Sequence, residues 1–189
     1  MMMKLVNLCL PNSTFLLIPN FISNPQQLFD NILLNTDWGN NIIHGRTVLR
    51  QIQHYGQSYT YSGLTHPQQD IPEYLNNVLL LVNDITCENF NSILVNYYPN
   101  EKASIGWHSD NEKELGNNPN IASVSLGATR FFSIRRNKTY ETISIPLQDG
   151  TLIFMGHNSQ RLYQHSVQKH FEKCGPRINL TFREILPDA

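Results

Sequence analysis

The residues able to do chemistry concentrate in the second half of the chain. Trp107-His108-Ser109-Asp110 closes a run from Ala103 that alternates like a strand, so His108 and Asp110 point to one side and Ser109 to the other. An imidazole and a carboxylate converging in this way are two ligands of a metal site. The third must come from a distant segment, and His165, near the start of a predicted strand in Tyr163-Gln164-His165-Ser166-Val167, stands in a suitable place. Two imidazoles and one carboxylate on one face of a ferrous ion leave three coordination positions for a cosubstrate and oxygen. His157 competes for the third position, but Gly156-His157-Asn158-Ser159 reads as an exposed turn. Of the seven histidines, His44, His54, His66 and His170 have no partner at a ligand-like spacing. A surface pair or a hydrogen-bonded core histidine would give the same His-x-Asp pattern.

A second constellation is Arg177-Ile178-Asn179-Leu180-Thr181-Phe182-Arg183. It alternates so that Arg177, Asn179, Thr181 and Arg183 share one face and Ile178, Leu180 and Phe182 the other. Guanidinium groups on the inward face of a buried strand are costly without an anion, and a small dicarboxylate would satisfy them. An edge strand with its polar face in water is the alternative. In Leu94-Val95-Asn96-Tyr97-Tyr98, the side chains of Leu94, Asn96 and Tyr98 share a face, and the amide and phenol could hold the other end of the same ligand. Two basic groups could meet phosphates. Arg130, Arg135, Arg136 and Lys138 lie in an acid-free stretch from 127 to 140, and Arg46 and Arg50 precede a predicted strand. A solvated basic hairpin would look the same.

The elements that must position these residues follow from periodicity. One helix starts at Ser23-Asn24-Pro25, a polar cap before a proline, and runs to about Asn35 with Leu28, Phe29, Ile32 and Leu33 on one face. A second starts at Asp70-Ile71-Pro72-Glu73, which resembles a capping box, and carries Leu75, Val78, Leu79 and Val82 at spacings of three and four to about Asp84. Short period-two runs predict strands near 47–54, 58–62, 91–98, 103–109, 121–127, 130–135, 141–147, 151–155, 164–167 and 177–185. The fold class is therefore mainly β with flanking helices, either a double-sheet jelly roll or an open barrel; a parallel sheet would need a helix between most strands. The polar loop from Asn111 to Asn120 is the expected flexible rim.

At 189 residues the chain suits a single domain with its own core. Fourteen Lys and Arg against 15 Asp and Glu give a net charge of −1, so any nucleic-acid affinity must come from local patches and a pocket, not from a polybasic coat. The three cysteines, Cys9, Cys87 and Cys174, are far apart and form no CxxC, which argues against a zinc knuckle or disulfide framework and for a reducing compartment. Met1 to Ile22 is interrupted by Asn7, Pro11, Asn12 and Pro19, and reads as an opening strand, not as a signal or membrane span. The expectation is an intracellular monomer without membrane contact.

Taken together, Asn96-x-Tyr98, His108-x-Asp110, His165 and Arg177-x-Asn179-x-Thr181-Phe182-Arg183 resemble the AlkB family of Fe(II)/2-oxoglutarate dioxygenases, in this order and over roughly residues 15 to 186. Ile121 to Ala128 and Gly150 to Met155 resemble the family's core strands, and Tyr59-Thr60-Tyr61-Ser62-Gly63 the substrate-side segment of its DNA-repair branch. The resemblance implies a double-stranded β-helix, or jelly-roll, core at 91–186 behind a substrate-recognition extension at about 15–90 that carries two helices. It implies iron held by His108, Asp110 and His165, and molecular oxygen as oxidant. 2-Oxoglutarate would bind Arg177 through its distal carboxylate, with Tyr98 and Asn96 assisting and Asn179 and Arg183 in the same pocket. The implied reaction hydroxylates N-alkyl groups on bases of DNA or RNA, releasing formaldehyde, succinate and CO2. Tyr61 and His108 would flank an extruded base, with Tyr59, Ser62 and Arg50 nearby, and Glu112 would favour cationic lesions such as 1-methyladenine and 3-methylcytosine. Two other readings compete: a related dioxygenase that hydroxylates a protein side chain, and a catalytically silent jelly-roll binding module.

Overall fold

A computed structural model of the chain describes residues 4–38, 42–43, 46–61 and 64–186. Two antiparallel sheets face one another. The larger orders seven strands as Val6–Asn7, Phe15–Ile18, Thr151–Met155, Ile121–Gly127, Arg177–Arg183, Ser92–Tyr98 and Gln51–Gly56. The smaller orders Thr142–Leu147, Arg130–Arg136, Tyr163–Val167 and Ile105–His108. Most neighbours are remote in sequence, and the expected jelly roll is borne out. Three strands from before residue 91 complete the larger sheet. Two ribbons, Ile42–Ile43 with Arg46–Thr47 and Tyr59–Tyr61 with Leu64–His66, stand apart from both sheets.

Period two explains how the larger sheet divides its residues. Ala122, Val124 and Leu126, with Ile178, Leu180 and Phe182, Ile93 and Val95, and Leu152, point outward into a cluster covered by helices Pro25–Asn35 and Glu73–Thr86. Phe29, Ile32, Leu75, Val78, Leu79 and Val82 supply the helical side of that cluster. Each such side chain contributes about 1.5–3 kcal/mol when fully buried. The alternate positions face inward, where Phe15, Ile121, Ile153 and Met155 meet Phe132, Ile134, Tyr163 and Val167 of the smaller sheet.

The helices fall where the sequence places them, but their starts differ in detail. Asn24 and Pro72 hold the N-cap positions and neither makes a side-chain capping bond, so the capping box expected at Asp70 does not form. Pro25 at the first turn and packing onto the sheet hold the first helix; Glu73 in the first turn and the same packing hold the second. The rim at 111–120 is also tied down. Lys113–Leu115 forms a single 3-10 turn, and Leu115 is buried in the cluster between the sheets. Gly127 ends its strand at φ +81°, where an added Cβ would lie 2.6 Å from Pro176 O, so only glycine lets the chain approach this closely just before Arg177. No helix among the described residues is long and apolar enough to cross a membrane.

Candidate metal and cosubstrate site

His108 and His165 are directly opposite across the antiparallel pair Ile105–His108 and Tyr163–Val167. Their ring centroids are 4.3 Å apart. Asp110 lies just beyond the end of the first strand, with Oδ2 3.7 Å from His165 Nε2. One donor atom from each of the three lies within 4.8 Å of the others, close enough to share one ion. His157, the competitor, is exposed in a turn, as its sequence context suggests.

Neighbours fix the state of each donor. His108 Nδ1 is 2.9 Å from Gly106 O; a carbonyl can only accept, so Nδ1 carries the proton and Nε2 keeps its lone pair. Burial, reinforced by His108, pushes the His165 imidazole down to about 3, leaving it neutral. Phe132 stacks on it at 5.2 Å between centroids. Burial alone would raise the Asp110 carboxyl, but the Arg183 guanidinium, with His165 and His108, outweighs this and holds it well below the usual carboxylate range. Arg183 Nη2 donates to Asp110 Oδ1 at 2.6 Å. The Asp110 backbone N–H donates to Gln160 Oε1 at 2.9 Å, from the short helix Ser159–Leu162 that leads into the His165 strand. One atom remains over: Oδ2 of this buried, ionised carboxylate has no hydrogen bond. A cation held between this oxygen and the two imidazoles is what would satisfy it.

The second half of the site shows the same mismatch with the sign reversed. Arg177 is 1% exposed, and among the described residues no carboxylate pairs with it. Burial pushes its guanidinium down to about 10, opposed by Tyr98 beside it, so it stays charged at neutral pH. Nη2 donates to Ser125 Oγ and Asn179 Oδ1, both at 2.8 Å, whereas Nε and Nη1 have no hydrogen-bond partner. The Tyr98 ring lies 5.2 Å from it. An organic carboxylate fits this arrangement in both charge and unused donors. Tyr98, Asn96, Asn179, Thr181 and Arg183 line one cavity with His108, Asp110 and His165. Arg177 stands just behind that wall, against Tyr98 and Asn179. Asn179 is oriented by Ser123 Oγ, which donates to its Oδ1 at 2.7 Å, and by its own donation to Thr181 Oγ1 at 2.9 Å.

Several expected phosphate contacts are placed elsewhere. Arg50 is buried on the cavity wall with Nη1 donated to Asn96 Oδ1, so it presents no charge to the surface. Arg130 shares the inward face of its strand with Phe132 and Ile134; it is 1% exposed and donates to the carbonyls of Asn100, Ala103 and Gln168. It fastens two loops and cannot reach a phosphate. Arg135 donates to Gln164 Oε1 at 2.6 Å and lies 4.4 Å over the Trp107 ring. Glu112 is half-buried before the 3-10 turn, and its Oε2 has no partner. Tyr59 and Tyr61 occupy a strand paired with Leu64–His66, but their side chains, with Ser62, Gly63 and the side chain of Arg46, lie outside the described residues.

Sequence reasoning missed Gln160, Ser123 and Ser125. The two serines had a readable signal, because they are polar at every second position of the apolar run Ile121–Gly127, opposite Thr181 and Asn179.

Three comparisons bear on this geometry. The 2OG-Fe(II) oxygenase superfamily matches residues 14–183. The chain is 45% identical over 147 residues to the Bos taurus alpha-ketoglutarate-dependent dioxygenase alkB homolog 3, covering 71% of this chain and 51% of that protein. It is 37% identical over 140 residues to the Homo sapiens DNA oxidative demethylase ALKBH2, covering 69% and 53%. The chain thus spans about half the length of the curated relatives it matches. Among solved structures it resembles OsALKBH1, with a TM-score of 0.69 at 20% identity over 96% of this chain and 100% of that one. A Trichoplax adhaerens prolyl hydroxylase aligns with a TM-score of 0.62 at 15% identity, over 90% of this chain and 83% of that one. These two likenesses concern the fold.

Proposed function

The chain belongs to the 2OG-Fe(II) oxygenase superfamily, and from that premise we propose that it is an oxidative demethylase removing N-alkyl groups, such as those of 1-methyladenine and 3-methylcytosine, from bases of DNA or RNA. One observation carries the reading: an ionised carboxylate with a free oxygen lines a cavity, and a buried arginine without a carboxylate stands just behind its wall. The names of the relatives, a dioxygenase and a DNA oxidative demethylase, supply the substrate class.

His108, Asp110 and His165 would hold the ferrous ion. With 2-oxoglutarate and oxygen bound there, that ion supplies oxidation, in which one oxygen atom goes into succinate as CO2 leaves and the other converts N–CH3 to N–CH2OH. The carbinol then loses formaldehyde and restores the N–H of the base. Arg183 keeps Asp110 ionised and engages Oδ1, leaving Oδ2 for the metal. Arg177 would take the distal carboxylate of the cosubstrate, since a planar guanidinium fixes its orientation as well as its charge. Ser125 and Asn179 hold that guanidinium in place, Tyr98 closes the space beside it, and Asn96 and Arg50 form the adjoining wall. Phe132, Met155 and Val167 exclude water from the inner side. On the substrate side, Tyr61 and His108 would flank the extruded base, with Tyr59 and Ser62 near, and Glu112 would favour a cationic one. Free Cys9, Cys87 and Cys174 suit a reducing compartment, and the protein would act there as a monomer.

The test is a panel of methylated oligonucleotides incubated with Fe(II) and 2-oxoglutarate, with both the oligonucleotide mass and succinate followed. Loss of the methyl group coupled to succinate is the expected result. Succinate release indifferent to every oligonucleotide would point to a protein hydroxylase, and none at all to a silent module.

A further inference from the structure

Arg136, Lys138 and Arg161 are among the cations that the site leaves unused. They are half-buried or exposed, and among the described residues none makes an ion pair or donates a side-chain hydrogen bond. Arg136 and Lys138 stand at the tip of the hairpin formed by Arg130–Arg136 and Thr142–Leu147, and Arg161 on the helix Ser159–Leu162. They line an open hollow of about 650 Å³. A second hollow of about 850 Å³ shares Asn137, His157, Asn158 and Arg161 with the first, so the two are continuous. Its far end is formed by Ser109 and Asn111, on either side of Asp110, and by Gln164, the residue before His165. Consecutive Cα atoms are about 3.8 Å apart, so this end abuts the segments that carry the metal ligands, on the side away from the ligand side chains, where Gln164 meets Arg135.

No Asp or Glu lines either hollow, in a chain with 15 of them. Glu141, the acid of the hairpin, accepts from Thr139 Oγ1 at 3.0 Å and borders an apolar hollow that Arg136 also lines. The floor is built. Asn137 donates from its backbone to Leu162 O and from Nδ2 to Arg161 O, both at 2.9 Å, which clamps the hairpin to the helix. The Asn158 backbone N–H donates to Asn118 Oδ1 at 3.0 Å, and its Nδ2 to Asn12 O at 3.1 Å. All three cations line the first hollow and Arg161 also lines the second, so they present several positive charges over a fixed, acid-free floor, which suits a repeating negative charge better than a single one.

We infer that this trough carries the phosphodiester backbone of a nucleic-acid strand across the outer side of the segments that bear the metal ligands, with Arg136, Lys138 and Arg161 as its phosphate contacts. The inference rests on the nucleic-acid reading above and goes beyond it by assigning the path. Neutralising a phosphate with a cation releases counterions, so each contact on a single strand adds about 0.7 to the slope of log affinity against log salt.

The test titrates salt against binding of fluorescent single strands, one of deoxythymidines and one of uridines, to the full chain. R136Q/K138Q/R161Q is expected to lower the slope by roughly 2 on a strand the wild type binds, with thermal stability and the Co(II) spectrum of the metal site unchanged. R136K/R161K, which keeps the charges, retains the wild-type slope, as does K169Q/K173Q, whose cations lie outside the trough. Loss with both strands identifies phosphate in general as the ligand, and loss with one assigns the trough to that nucleic acid. A triple variant with the wild-type slope overturns the inference and leaves the demethylase reading standing. A wild type that binds neither strand overturns both.

Discussion

Ile178, Leu180 and Phe182 turn from the strand Arg177–Arg183 into the helix-covered cluster, while Arg177, Asn179, Thr181 and Arg183 turn toward the smaller sheet, and all seven are buried. The outward face needs only volume and apolar surface. The inward face needs every donor and acceptor to find a partner, and the places where one does not are the places where a ligand belongs. One strand therefore separates stability from chemistry at single-residue spacing, and substitutions on its two sides, and on the inward partners they touch, should separate in the same way.

The largest effect is expected at Asp110. D110A removes a metal donor and the buried carboxylate that Arg183 Nη2 engages, so Fe(II)-dependent succinate release should fall below detection, and stability should drop by about 3–5 kcal/mol, read from denaturant midpoints. Phe182→Ala, on the outward side, should cost a similar 3–5 kcal/mol but leave the Co(II) spectrum of the folded protein intact. If it shifts that spectrum, the faces are not independent. R177K should raise the KM for 2-oxoglutarate at least tenfold without lowering the melting temperature of the metal-free protein, and 2-oxoglutarate should protect the wild type from heat but not the variant. Gln160→Leu removes the acceptor of the Asp110 N–H, and titration with Mn(II) should show affinity weakened about tenfold, with the Q160E carboxylate restoring part of it.

The last effect concerns pH. His54, inward on Gln51–Gly56, is held down to about 3 by burial first, then by His66 and Arg183. Below its ordinary value of 6.5 the unfolded chain takes up a proton that the fold refuses, so stability is lost as pH falls from there toward 3, by at most about 1.4 kcal/mol per pH unit. Urea midpoints of metal-free wild type and H54L at pH 7 and 4.5 should diverge accordingly, whereas a substitution on the outward face should shift both midpoints alike.

The inward strand was legible because its pattern is local: four polar residues alternate with three apolar ones, and the burial of all seven decides between a covered sheet and an edge strand with one face in water. His108 and Asp110 were legible for the same reason, and His165 because few histidines open a strand. Arg130 was misread from its charge, although Phe132 and Ile134 at the next alternate positions mark the same inward face. Gln160 could not be found at all, since its bearing on the site is a bond to a backbone N–H fifty residues away. Arg183 was placed with the cosubstrate, and its bond to the metal-site carboxylate depends on how a loop beyond a different sheet folds back. Periodicity reports which face a residue occupies, and only tertiary structure reports whom it meets there.

Ile105–His108 is the outermost strand of the smaller sheet, and His108 faces His165 across its one described seam. An ion gripped by both imidazoles thus rivets the sheet's margin shut. Stripped of it, that margin should fray first, with amides at 105–108 exchanging early in deuterium and offering a sticky selvedge to other chains.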